Sequence, residues 1–193
     1  MHDIKPWSGW QDEYKAEKDK KSPFYGNRYD EFQYTTQIYN YYIDPHWDFI
    51  GSETLYGKLL YVSYSNQYAI LELIGEWNDA IGNDIMFLKR DIADIMVNNG
   101  INKFLLICDN VLNFHADEDS YYEEWYNDIK DDGGWICLIN TFDHVLLEMN
   151  KYRLGYYMHF GYAFNDVNWR GKKPSILIKE VENLMQNSQK SLF

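Results

Sequence analysis

The chain has 193 residues, 46% of them hydrophobic and 18% aromatic, which places it among globular proteins with one sizeable core and excludes a disordered chain. Thirty acids against 18 bases give a formal net charge of −12, so the body repels phosphate backbones; this argues against nucleic acid and toward a basic protein surface as partner. The plainer reading of the same charge is solubility.

Residues 1–54 read as an extension. Lys15–Lys21 is charged, Pro23 and Gly26 mark a turn, and Tyr29–Tyr42 favours extended chain until Asp44–Pro45 breaks it. Such an aromatic arm is expected to pack on the core or on a second subunit, and a symmetric homodimer could bury Tyr34–Tyr42. Leu55–Tyr64 reads as a strand, and Asn66–Gln67 as the hairpin turn into Tyr68–Ile74. Gly75–Ala80 reads as a polar loop. Asn83 or Asp84 can cap a helix through about Asn98, with Ile85, Leu88, Ile92, Ile95 and Met96 on one face. Gly100 ends it.

Lys103–Cys108 is apolar enough for a central strand, and Asp109–His115 reads as a loop. Asp119 or Ser120 can cap a second helix to about Asp131, with acids crowding its first turn as the helix dipole favours. Gly133–Gly134 closes it, and Trp135–Ile139 is the next strand. Thr141 is expected to cap a third helix with Val145, Leu146, Met149 and Tyr152 inward. Gly155–Phe160 is expected as a last strand or strand-like segment. Residues 162–193 form a tail in which Pro174 or Ser175 starts a helix to about Met185. The divisions expected are therefore 1–54, 55–161 and 162–193. The alternation of strand and helix over 68–160 argues for a largely parallel sheet covered by helices. Leu71, Leu73, Phe104, Leu106, Ile136 and Leu138 should be central, beneath Leu88, Ile92, Val145 and Met149.

Few motifs carry chemistry. Cys108 and Cys137 fall in predicted buried strands, with no CxxC, so they read as small hydrophobes. There is no Gly-x-Ser-x-Gly elbow, and Gly133–Gly134 precedes a strand rather than a phosphate-binding helix. The densest polar cluster is Asn113–Asp132, where eight acids and one lysine follow from Asp117. His115, Asp117, Glu118 and Asp119 include ligand types for a divalent ion, but Tyr121 and Tyr122 break the EF-hand pattern, so no metal is expected. Glu76, Asp79, Asp109 and His115 lie after sheet strands, where ligands bind in open α/β sheets. They make an alternative ligand or acid–base site. No catalytic residue and no cofactor is expected. No apolar run nears the roughly 20 residues that span a bilayer, and Met1–Pro6 lacks a signal-peptide core, so a cytoplasmic protein without membrane contact is expected.

The order of elements over residues 55–160 resembles the STAS domain of anti-sigma-factor antagonists. The segment that corresponds to that family's Asp-Leu-Ser-x-Val-x-Phe-Ile-Asp-Ser-Ser-Gly pattern is Ile107 to Ser120. Asp109, Val111 and Phe114 are similar in character, at different spacings. Leu138-Ile139-Asn140 before a helix and Leu154-Gly155 after it are similar too. The family's phosphorylatable serine falls near Asp117, where no Asp-Ser-Ser-Gly stands; Ser120 is the nearest small hydroxyl. The resemblance implies a mixed sheet of about five strands with helices packed on it. It also implies a regulatory module that binds a protein. The surface would be Asn113, His115, Asp117, Glu118, Asp119, Ser120 and Glu123, its acids standing in permanently for a phosphorylated surface.

Overall fold

The computed structural model describes residues 4–190, with side chains through Ser188. Residues 1–3 and 191–193, the outer ends of the expected extension and tail, lie outside the described residues, and the Met1–Asp3 part of the expected leaderless start lies there with them.

The N-terminal arm forms a short ladder, β1 (Gln37–Ile38) with β2 (Tyr41–Tyr42), and then β3 (Asp48–Phe49), which joins the edge of the main sheet. That sheet continues with β4 (Leu55–Ser63), β5 (Tyr68–Asn78), β6 (Lys103–His115) and β7 (Trp135–Ile139), in sequential order. β3, β4 and β5 pair antiparallel; β5, β6 and β7 pair parallel. Crossovers between parallel strands carry helices: α1 (Asp79–Gly82), then Asp84–Asn98 as α2 (Asp84–Phe87), a π segment Leu88–Ala93 and α3 (Asp94–Asn98), then α4 (Ser120–Ile129) after β6. α5 (Asp143–Lys151) and α6 (Pro174–Lys190) follow β7. The expected α/β class, a mixed five-stranded sheet with helices packed on it, is the class observed.

Side chains alternate across a strand, so the buried runs feed two cores. On one face Leu71, Leu73, Phe104, Leu106, Ile136 and Leu138 lie beneath Leu88, Ile92, Val145 and Met149, as expected. On the other, Ile70, Leu105, Ile107 and Ile139 meet Leu177, Ile178, Val181 and Met185 of α6, with Trp10 and Trp169. The tail helix is thus a full covering layer, and it runs to Lys190 rather than ending near Met185. Cys108 and Cys137 are buried on opposite faces, which keeps their sulfurs apart. Arm residues Ala16 and Phe24 join the first core and Trp10 the second.

Several expected boundaries are corrected. Gly75–Ala80 is not a loop: β5 runs on to Asn78, pairing Glu76 with Asn113 and Asn78 with His115. Asp109–His115 is likewise strand. Polar side chains there point to the sheet margin while the backbone still pairs, with register shifts between Glu72 and Ile74 and between Gly75 and Glu76. Gly75 has φ +119, and a Cβ there would stand 2.0 Å from the Thr54 carbonyl oxygen, so this step accepts only glycine. Gly155–Phe160 makes a single bridge, His159 to Cys137, beside a 3₁₀ turn at Leu154–Tyr156. Phe142, not Thr141, holds the cap position of α5, because the Thr141 backbone is tied to Asn165 instead. Asp119 stands at the cap of α4 without a capping side-chain bond. Ile95 is 38% exposed, because the π segment adds a residue to one turn and rotates the later positions. The same turn brings Lys89 inward, where it is buried against Asp94, Glu124 and Asp128.

Candidate functional site

The carboxyl ends of β5 and β6 bring two of the four predicted ligand residues together. Glu76 Oε1 lies 2.9 Å from His115 Nε2. The Asn113 side-chain amide stands 3.0 Å from the same nitrogen. From the arm, the Tyr39 hydroxyl donates to Glu76 Oε2 at 2.9 Å. Burial, and then that bond, push the Tyr39 phenol above its usual ionisation range, so it is a hydrogen-bond donor and not a nucleophile. This is a carboxylate–imidazole couple on a rigid sheet end, without a reactive hydroxyl or thiol in the hydrogen-bonded set.

Asp79 does not join it. Its carboxylate is buried, where it accepts from the Tyr122 hydroxyl at 2.5 Å, the Trp77 indole at 3.0 Å and the Ile85 backbone at 2.8 Å. Burial pushes it up to about 6 against the pull of those donors. It ties β5, α2 and α4 to one another. Asp109 also stands apart, among the residues of the second core face. Its Oδ2 accepts from the Trp169 indole and from Arg170 Nη1, both at 2.9 Å. The four predicted residues therefore form no single site.

The predicted partner residues occupy the junction of β6 and α4. His115, Asp117, Glu118, Asp119, Ser120 and Glu123 are exposed and Asn113 half-buried. Asp119 accepts a hydrogen bond from Tyr157 at 2.9 Å, whereas Asp117, Glu118 and Glu123 have no ion-pair partner among the described residues. The nearby Glu124 differs: Arg90 holds it through two bonds, at 2.6 and 2.9 Å. Ionic contacts are thus spent on the inner side of α4, and the outer acids are left to solvent. Among the described residues no group of three or more His, Cys, Asp or Glu is placed to hold a metal ion, and no helix is long and apolar enough to cross a membrane.

A second concavity, about 1020 Å³ in volume, lies past the carboxyl end of β7 and beside the middle of β6. Asp109 and Asn110 from β6, residues 140–144 after β7, Tyr162 and residues 165–170 line it. The sequence reading missed it, because its far wall comes from the tail, more than twenty residues after β7. The readable signal was Asn140–Thr141, which directly follows a parallel strand where such sites form. Behind the wall Glu72 is fully buried. Its Oε2 accepts from the Trp7 backbone at 2.7 Å, and its Oε1 makes only a long ion pair with Arg170, at 3.5 Å. Burial raises Glu72 to about 7; the Trp7 bond and Arg170 lower it, and Asp109 raises it further.

No family model and no curated protein matches the chain. Solved structures do. The unphosphorylated anti-sigma-factor antagonist SpoIIAA is 12% identical, with a TM-score of 0.46, over 66% of this chain and 96% of that one. The phosphorylated Bacillus SpoIIAA is 11% identical, with a TM-score of 0.42, over 65% and 98%. A protein from Thermotoga maritima assigned as an anti-sigma-factor antagonist is 16% identical, with a TM-score of 0.43, over 65% and 92%. These are anti-sigma-factor antagonists, the kind of protein that the order of elements in the sequence resembles.

Proposed function

We propose that this chain is a regulatory protein-interaction module without catalytic activity, which receives a basic protein surface on Asn113, His115, Asp117, Glu118, Asp119, Ser120 and Glu123. The observation that supports it most is the unneutralised acidic edge at the junction of β6 and α4, carried on a rigid sheet-and-helix frame. Its acids sit where a strand hands over to a helix N-terminus, so the helix dipole lowers the cost of keeping charge there. They are free to steer an oppositely charged partner into place. Because the charge is built in, binding on this reading needs no phosphorylation, and Ser120 adds an uncharged hydroxyl to the surface.

The test is a cross-linked pull-down, quantified by mass spectrometry, with the intact chain and an Asp117→Ala, Glu118→Ala, Asp119→Ala variant. A basic partner should be lost from the variant and should weaken with salt. The same partner set at the same yields for both proteins removes the surface assignment. Self-association is a second reading, favoured by Tyr39, Tyr41 and Tyr42, which stay exposed in the single chain. Deleting the arm would be a poor test, since Trp10, Ala16 and Phe24 are core residues. Tyr41→Asp leaves the core alone; if the chain is a dimer by light scattering and remains one in this variant, the arm is not its dimer contact.

A further inference from the structure

The cleft beyond β7 is built more firmly than a connecting surface requires. Two asparagines stitch its walls together by reciprocal amide–backbone pairs. Asn140 donates to the Val167 carbonyl at 3.0 Å and accepts from the Val167 N–H at 2.9 Å. Asn165 donates to the Thr141 carbonyl at 2.7 Å and accepts from the Thr141 N–H at 3.0 Å. The Asn140 N–H reaches across again, to the Phe164 carbonyl at 3.1 Å. Asn140 and Asp166 both hold left-handed backbone, φ +57 and +59, a conformation that costs energy away from glycine and collects at functional sites. Trp169 is buried and, with Arg170, fixes the Asp109 carboxylate.

Inside this frame the free groups are of mixed kind. Asn110, Asn168, Asp143 and Asp166 line the cleft and have no side-chain partner among the described residues. Two aromatic side chains stand at its rim with ring surface in water, Phe142 at 43% and Tyr162 at 72% exposure. The lining is acidic, with Asp109, Asp143 and Asp166 against the single cation Arg170. Arg170 pairs with Asp109, and Asp143 sits in the first turn of α5, where the helix dipole favours a negative charge. A phosphorylated ligand would meet unpaired carboxylates and no free cation. Among the described residues no group of three or more His, Cys, Asp or Glu stands here to hold a metal ion.

Free amide and carboxylate groups beside exposed aromatic faces, with no free cation, match an uncharged ligand that offers many hydroxyls and apolar C–H faces. We propose that this cleft binds a neutral oligosaccharide of a few sugar units, which fits its volume and its position past the carboxyl end of β7. Tyr162 and Phe142 would stack on the sugar faces, and Asn110, Asn168 and Asp166 would take the hydroxyls. The site is independent of the acidic edge at 113–123.

The test titrates the full chain with maltotriose, cellotriose and tri-N-acetylchitotriose at millimolar concentration, followed by amide chemical shifts, with spermidine and inorganic phosphate as contrasting probes. At least one trisaccharide should saturate and move the amides of residues 140–143 and 162–170. Tyr162→Ala should weaken it about tenfold, the scale of one lost aromatic contact, and Asn168→Ala should weaken it too. Both side chains are exposed, so an unchanged unfolding midpoint shows that the fold is kept. The Asp117, Glu118, Asp119 triple alanine variant should bind the sugar as the intact chain does, which separates this site from the protein-docking surface. Failure of all three sugars, binding of spermidine or phosphate alone, or sugar binding insensitive to both variants overturns the proposal.

Discussion

Glu72→Gln should remove most of the pH dependence of stability near neutrality. Glu72 is 0% exposed, on β5 beneath Trp7, Trp169 and Arg170, and burial holds its carboxyl up at about 7 from an ordinary 4.5. A folded pKa above the unfolded one means that the fold favours the protonated form. Its contribution is complete below about pH 4.5 and is lost as pH rises through about 7. The shift corresponds to roughly 3 kcal/mol, a large part of the about 5–15 kcal/mol that holds a domain together. Arg170 and Asp109 face the same carboxyl with opposite effects, and both are kept in the variant. Glutamine retains an oxygen for the Trp7 N–H and cannot ionise. Urea unfolding by tryptophan fluorescence at pH 5 and pH 8 measures the difference directly. The intact chain should lose roughly 2–3 kcal/mol more than the variant between those values. Parallel pH curves would refute the reasoning, since they would mean that Glu72 ionises as easily in the fold as in the unfolded chain.

Leu106→Ala should cost about 2–5 kcal/mol, because it opens a cavity in the middle of the first core, and Asp117→Ala should cost no more than about 1 kcal/mol, the scale of a helix-dipole contact. Equal losses in urea unfolding would make the 113–120 segment a structural element and end its reading as a docking surface. Lys89→Met keeps the buried stem but leaves Asp128 without a cation and Asp94 and Glu124 with Arg90 alone; a loss of about 1–3 kcal/mol, partly recovered in high salt, is expected. Tyr122→Phe removes the hydroxyl that donates to Asp79, which should cost about 1–3 kcal/mol. It should also raise the Asp79 pKa further, so the variant should lose stability over a wider range as pH rises, and proton-linked unfolding reads this.

Alternating apolar runs and turn residues were enough to establish most of the fold. Trp135–Ile139 is found where its five apolar residues place it, and Gly100 ends its helix with φ +88, because such signals are local and each segment carries its own. The central core residues could be named because a strand buried on both faces has no polar position to spare. The ends of β5 and β6 could not be read in this way. Beyond Ile74 and Cys108 polar side chains interrupt the apolar run, between buried Trp77, Val111 and Phe114, while the backbone goes on pairing, and pairing is a property of two strands together. Asp109 and Glu76 follow comparable strands and look alike in sequence. Only the bulges between Glu72 and Glu76 and the tail segment at Trp169–Arg170 decide that one meets His115 and the other an arginine. The second covering layer, the buried Glu72 and the cleft of residues 140–170 all depend on contacts between segments far apart in the chain, which no local pattern encodes.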